Sequence, residues 1–512
     1  MLKSSGAVGA ATLTSRVFGL IREIIYARFM GDSWVASAFV MAFMIPNLFR
    51  RLLGEGALTA AFIPVFKEKE REGESAMWTA GNAILSALMM VSGGVVIFAV
   101  LVLSGLLRLD VGDGKTLLML ELLRLMFPYL LLVCVASIFI GMLNARGHFF
   151  VPALGTTFLN LVMIASVLFL APRIEGGLDR QVFGLAIGVL IAGVVQMVFQ
   201  LPQLNREGFR FQWVSPWGNA TVRRVSLQMG PAILGVAAYQ LNVLATQSLA
   251  FWTGKEIVAS FNYAVRLMEL PQGLFGLSLA TYLLPTLSGL AADKKYPEFR
   301  TTLQQGVGYI IFINLLASVL LFTLAEPMVR LLFERGRFDE GSTGRAAAAL
   351  MWLAPGLVAF SLVNILARGF FSLGDTRTPM RVSAFCLAIN IVFAVGLIWR
   401  FREAGLGLAN TLSASVNALL LIFALRKKLG KLEWSTLRTQ LPALIGAAIV
   451  AGVVAYGIRV VWTKNFGHAA FVYKVGQVFV PMLAATGVYL GLGFWLKVPF
   501  VKDLLALLKA RL

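Results

Sequence analysis

Long apolar runs separated by short polar connections fill the chain from end to end. A helix needs roughly 20 apolar residues to cross the hydrocarbon of a bilayer. By that measure about fourteen spans are predicted, near 12–30, 33–53, 80–106, 117–144, 151–171, 181–203, 226–252, 257–289, 304–325, 345–372, 379–400, 405–426, 438–462 and 473–496. Several are longer than needed, which allows tilt or overhang. The pattern predicts an all-α polytopic membrane protein with no soluble domain and no low-complexity linker.

The apolar pattern also repeats. FPYLLLVCVASIFIGMLNARGHFFVP (127–152) matches APGLVAFSLVNILARGFFSLGDTRTP (354–379), with Pro128 and Pro152 spaced as Pro355 and Pro379 are, and Gly147 in register with Gly374. Proline deletes a helix hydrogen bond and bends the helix, so repeated prolines predict a repeated helix-pair shape. A weaker match joins 41–70 to 266–295. Both hold at an offset of about 226 residues, pairing spans 1–6 with 7–12 as parallel repeats of six helices. Such halves rock against each other and bind near their interface. The expected domains are an N-lobe at 1–204, a linker at 205–225 on the hinge side, a C-lobe at 226–430, and an added helix pair with a tail at 431–512.

Composition agrees: 58% of the 512 residues are apolar, 14% are charged, and the mean hydropathy is +0.81. Soluble domains carry about 25% charged residues. The net charge of +20 falls mainly in short loops, where membrane topology places it, so no nucleic-acid partner is expected. About 23 of the 45 Lys and Arg residues sit on one set of loops with Lys3, against about 14 on the other. Both termini are therefore expected in the cytoplasm. The outer-side exception is 330–345, where basic and acidic residues interleave; it reads as an interfacial helix. The start, MLKSSGAVGAATLTSR, lacks a cleavage-type apolar core, so the first helix is expected to be retained.

Little in the chain points to covalent chemistry. Cys134 and Cys386 lie inside apolar runs and read as small buried residues. There are two histidines, His148 and His468, with no HExxH and no GxxxxGK[ST]. No cofactor and no enzymatic step are expected, and no metal site is assigned.

The costly residues are arginines. The stretch 14–64 carries Arg16, Arg22, Arg28, Arg50 and Arg51 against Glu23, Asp32 and Glu55. An arginine near the bilayer midplane costs from about 3 to more than 10 kcal/mol, so it must face a wet cavity, a partner or a bound anion. Arg28, near the outer end, can snorkel. Arg22 can pair with Glu23, Arg51 with Glu55 four residues on, and Arg266 with Glu269. Guanidinium forks onto phosphate oxygens in a bidentate way that ammonium does not match. Arginine at these depths therefore favours a phosphate or diphosphate ligand. Gln240, Asn242, Asn364 and Asn390 read as interhelical hydrogen-bonding groups, with a small cation as the other option.

SRVFGLIRE (15–23), PNLFRRLLGEGALTAAFIPVF (46–66), FPYLLL (127–132), QMGPAILGV (228–236), YAVRLMELPQG (263–273) and the GDTRTP turn (374–379) resemble the MurJ (MviN) family of bacterial lipid II flippases. That family belongs to the multidrug/oligosaccharidyl-lipid/polysaccharide exporter superfamily. The resemblance spans essentially the whole chain. It implies fourteen helices, two six-helix lobes around a cationic cavity, and a last helix pair forming a groove for the undecaprenyl tail. It further implies lipid II as substrate, membrane lipid and the cell-wall synthesis machinery as partners, a monomer, and residence in the bacterial cytoplasmic membrane. By position, the family's cavity residues correspond to Arg16, Arg22, Arg50 and Arg266, with Glu55 and Glu269 as acidic partners. Ser37 and Val265 stand where relatives often carry aspartate, which makes the expected cavity more positive. The alternatives are an exporter of another undecaprenyl-linked oligosaccharide, a multidrug or cation antiporter of the same superfamily, and a non-transporting scaffold. An antiporter would want acidic cavity residues.

Overall fold

The computed structural model describes residues 2–53, 57–110, 112–430 and 435–501. All regular elements among them are helical, and the chain separates into two compact units, Met1–Ala259 and Ser260–Leu512.

The first unit contains α1 (Leu2–Met30), α2 (Trp34–Leu53), α3 (Ala57–Glu72), α4 (Glu74–Arg108), α5 (Gly114–Met126), α6 (Tyr129–Ala145), α7 (Phe150–Ala165), α8 (Leu178–Val198), α9 (Leu201–Arg206) and α10 (Ala220–Thr253). Most side chains of α6 are buried, and α2, α3, α4 and α8 pack around it. α1 packs on α7, and α2 on α5. Close approach relies on small residues, as in membrane bundles generally. A Cβ at Gly184 of α8 would meet Ala171 Cα at 2.7 Å, and one at Gly188 would collide with Ser166 Oγ. α10 packs on α2, α3 and α4, so the compact unit runs past the 205–225 linker to Ala259.

α11 (Ile257–Pro271) begins at the boundary between the units. The second contains α12 (Ser278–Ala292), α13 (Tyr296–Thr323), α14 (Ala325–Phe333), α15 (Glu340–Leu353), α16 (Gly356–Ser372), α17 (Arg377–Leu429), α18 (Ser435–Phe466) and α19 (Phe471–Trp495). Its core joins Phe299, Leu303, Ile310 and Phe312 of α13 to Leu366 and Phe370 of α16 and Leu421 and Leu425 of α17. α18 and α19 pack on each other and on α13. Tyr489 donates its hydroxyl to the Phe312 carbonyl at 2.9 Å, and the two rings stack.

Among the described residues, eight helices are long and apolar enough to cross a membrane, and counting each of two bent pairs as one span brings ten. α17 is two spans, because Arg402 (φ 48°, ψ −122°) reverses the chain inside it. Asn390 bonds Asn410 at 3.3 Å and Ser413 bonds the Cys386 carbonyl at 2.7 Å, pairing the two arms antiparallel. α1, α10 and the continuous α11–α12 stretch are also long enough to cross. Together they are consistent with fourteen traverses.

The repeat is visible in local geometry. α5 and α6 meet at 42° across Phe127 and Pro128, and α15 and α16 at 47° across Ala354 and Pro355. α6 and α16 then end in the same turn. Gly147 (φ 87°) and Gly374 (φ 72°) occupy the left-handed region, which costs glycine nothing. His148 N donates to the Leu143 carbonyl at 2.8 Å, as Asp375 N does to that of Phe370 at 3.0 Å. The helix before each bend is also capped alike. Asp113 accepts from Thr116 N and Asp339 from Ser342 N, at 3.0 and 2.7 Å, each satisfying an otherwise orphan donor.

One sequence expectation takes a different form. The acidic-basic stretch 330–345 does not make one interfacial helix; it ends α14, turns, and begins α15. Arg330 is only 5% exposed, held between Glu326 at 2.9 Å and Glu334 at 3.0 Å. Glu326 also pairs with Arg459 of α18, and Glu334 with Lys474 of α19 at 3.0 Å. Interleaved charge here serves a clamp on the added helix pair. The 205–219 connection is strapped to α4: Asn82 donates to the Arg210 carbonyl at 2.9 Å and accepts from Gln212 N, and Ser86 accepts from Val214 N.

Candidate functional site

α1 carries Arg16 and Arg22, both half-buried, while Arg28 at its far end is exposed. Arg22 meets Asn160, Glu23 and Tyr26. Its Nη1 donates to Asn160 Oδ1 of α7 at 3.0 Å, and its Nη2 pairs with Glu23. The guanidinium lies 5.5 Å from the centre of the Tyr26 ring, within cation–π range. Asn160 in turn donates to the Ser15 carbonyl at 3.0 Å, and Ser15 donates to Thr156 Oγ1 at 2.8 Å. Three bonds thus seat α1 on α7 around the arginine. Arg22 Nε is buried, with no acceptor among the described residues. Asn160 was not singled out in the sequence. The available signal was an amide in the middle of an apolar span, where a polar side chain is costly and seeks a partner.

Arg50 and Arg51 end α2 past the in-helix Pro46. Arg50 Nε donates to Asn47 Oδ1 at 3.1 Å, and Asn47 donates to the Phe43 carbonyl at 3.2 Å, so Asn47 steadies the arginine one turn after the proline. Arg51 is exposed, with Nη1 at 3.5 Å from Gln240 Oε1 of α10. Glu55, the expected partner of Arg51, lies outside the described residues.

In the second unit, Arg266 and Glu269 of α11 form an ion pair at 2.8 Å, with their side chains 41% and 50% exposed. It is a half-exposed pair rather than a buried one, and such pairs contribute about 0–1 kcal/mol. Breaking it for another anion therefore costs little. α11 passes through Pro271 into a wide π-helical turn at Gln272–Leu277. Ser37, fully buried, accepts a hydrogen bond from Ala259 N at 3.3 Å, so the hydroxyl ties the start of α11 to α2. Val265 is half-buried beside Arg266.

Charge outside these helices is used structurally. Arg146, at the end of α6, binds Glu70 at 2.7 Å and Glu207 at 2.8 Å, and His148 meets the other Glu207 oxygen at 2.7 Å. Hydrogen bonds from Arg146 and His148 hold the Glu207 carboxyl below its ordinary range. The matching turn of the second unit uses Asp375, bound by Lys428 at 2.6 Å and pushed down to about 2 by that bond and by Thr378 N. No group of three or more His, Cys, Asp or Glu among the described residues could hold a metal ion.

The chain matches the family described as "Lipid II flippase MurJ" over residues 26–476. It is 34% identical to a "Probable lipid II flippase MurJ" of Vibrio cholerae, covering 82% of each chain, and 32% identical to one of Rhizobium tropici over 96% of this chain and 94% of that one. A "Lipid II flippase MurJ" of Burkholderia cenocepacia is 34% identical, over 89% of this chain and 90% of that one. Among solved structures, "Lipid II flippase MurJ, inward closed conformation" superposes with a TM-score of 0.79 at 20% identity, covering 97% of this chain and 99% of that one. An inward-facing multidrug resistance MATE family transporter of the MOP superfamily gives 0.68 at 16%, over 82% and 95% of the two chains. The solved structures share the fold, and the family match with relatives above 30% identity along most of the chain settles the rest: this multi-pass membrane protein belongs to the lipid II flippase MurJ family.

Proposed function

We propose that the protein moves lipid II from the cytoplasmic to the outer leaflet of the bacterial inner membrane by alternating access, with both termini in the cytoplasm. Arg16, Arg22, Arg50 and Arg266 receive the diphosphate, and the undecaprenyl tail stays in lipid along α18 and α19. The step is transport, with no covalent chemistry and no cofactor.

The observation that carries this reading is Arg22 itself. Two edges of its guanidinium are engaged by Asn160 and Glu23, while the buried Nε has no acceptor among the described residues. An unsatisfied buried donor costs about 1–3 kcal/mol. A phosphate that displaces Glu23 would take Nη2 and Nε together in a bidentate bond. Glu23 acts as an internal stand-in for the substrate's charge, keeping the empty site neutral enough to persist in the membrane. Glu269 plays the same part for Arg266, through a pair weak enough to exchange. A hold built on exchangeable pairs suits a substrate that must be released on the far side.

Native mass spectrometry of the purified chain with equimolar lipid II and another undecaprenyl-diphosphate-linked oligosaccharide tests the assignment. Preferential retention of lipid II, lost in Arg22→Ala, is expected. Equal retention of both would favour a broader exporter.

A further inference from the structure

The connection between α9 and α10 has no role in the reading above, and its chemistry is unusual. Gly208 (φ 90°) ends α9, and Phe209 N closes the turn on the Leu204 carbonyl at 3.0 Å. Phe209 is buried against Trp78 and Phe139. From there the chain runs without regular structure to 219, alongside α4. Its backbone meets Asn82 at Arg210 and Gln212, then Ser86 at Val214. Asn82 and Ser86 are buried, 3% and 0% exposed, and lie one turn apart on α4.

Trp78 and Ser86 are about 12 Å apart along the helix axis, and the apolar span of α4 begins near residue 80. The strap therefore descends from the edge of the span into its first turns. Exposed backbone there would lack water partners, and the side chains of Asn82 and Ser86 supply them. The side chains left outward are Phe211, Trp213 and Trp217, at 51%, 59% and 78% exposed. Arg206, Arg210 and Arg223 are exposed beside them, whereas the segment's only carboxylate, Glu207, is taken by Arg146 and His148. Tryptophan prefers the headgroup level, and basic residues there attract acidic lipid.

We propose that residues 206–223 are an interfacial strap that seats Phe211, Trp213 and Trp217 at the headgroup–acyl boundary and gathers acidic phospholipid through Arg206, Arg210 and Arg223. The occupant is the lipid surface, chosen by the combination of aromatic depth and uncompensated positive charge. The assignment is independent of the transported substrate.

The full-length protein with Trp217→Cys, and separately Trp213→Cys, is nitroxide-labelled and reconstituted in vesicles of phosphatidylcholine alone or with phosphatidylglycerol. The native cysteines, Cys134 and Cys386, are buried, and the unsubstituted chain measures their background. Oxygen and nickel-chelate accessibilities should place both labels about 5–10 Å below the phosphates, deeper in the acidic vesicles. Adding Arg206→Gln, Arg210→Gln and Arg223→Gln should remove the difference between vesicles. Labels that read as water-exposed in both vesicles overturn the proposal. Immersion to the same depth in both overturns the acidic-lipid assignment.

Discussion

Arg22 donates to the amide oxygen of Asn160 at 3.0 Å, joining α1 to α7 across 138 residues of chain. Asn160 also holds the Ser15 carbonyl, so one amide both orients the guanidinium and locks the helix that carries it. Interhelical hydrogen bonds in membranes average about 0.6 kcal/mol and reach about 1.7. Asn160→Ala should therefore lower the thermal midpoint only slightly. Losing about 1 kcal/mol of arginine orientation should slow lipid II translocation roughly five-fold, as measured in proteoliposomes at matched protein content.

Lys115 of α5 is 7% exposed. It donates to the carbonyl of Phe251 and, at 3.2 Å, to that of Gly254, where α10 ends, and its ammonium lies 4.2 Å from the centre of the Phe251 ring. The cation thus closes the C-terminus of α10, where carbonyls lack helical partners. Hydrogen bonds from a charged group contribute about 1.5–3 kcal/mol. Lys115→Met should lower stability by about that amount in thermal unfolding followed by circular dichroism.

How far this organisation could be read in advance depended on the range of each interaction. The bends at Pro128 and Pro355 and the turns at Gly147 and Gly374 were legible because proline and glycine impose their backbone restrictions locally. The matched caps at Asp113 and Asp339 were not, since DGKT and DEGS share only an aspartate and a later hydroxyl. The arginines of α1 and α2 stood out because charge in an apolar run is costly. Their partners were legible only in part: Glu23 stands next to Arg22 and Gln240 reads as an interhelical amide, but Asn160 is an ordinary amide far along the chain, and nothing local matches Gln240 of α10 to the exposed Arg51. The contacts of Asn82 and Ser86 with the backbone at 210–214 were not legible, because nothing local in that connection announces them.

Arg330 is buried between Glu326 and Glu334, and both carboxylates reach on to α18 and α19. Breaking a buried pair by removing one partner costs about 3–5 kcal/mol; partial exposure of Glu326 puts this case near the lower end. Arg330→Met should destabilise the protein by about 3 kcal/mol, more than Lys474→Met, which removes a single pair. Limited proteolysis within α18 and α19 should report the same order.

Asp375 titrates near 2 in the folded chain, against an ordinary value of 3.8, because Lys428 and Thr378 bind the ionised form. A depressed pKa stabilises the fold above the unfolded value and loses that stabilisation as pH falls through the folded one. The α16–α17 turn should therefore loosen between pH about 4 and about 2. Amide exchange of residues 373–380 measures this, and Asp375→Asn should remove the acid-dependent component while raising exchange at neutral pH.

The central claim is that membrane-embedded arginines bind the diphosphate during transport. Lipid II translocation in proteoliposomes by the Arg22→Ala, Arg266→Ala double variant tests it most directly, with helicity and monodispersity verified beforehand. The account predicts translocation at the level of protein-free vesicles from a normally inserted protein. Translocation at the parent rate would contradict it.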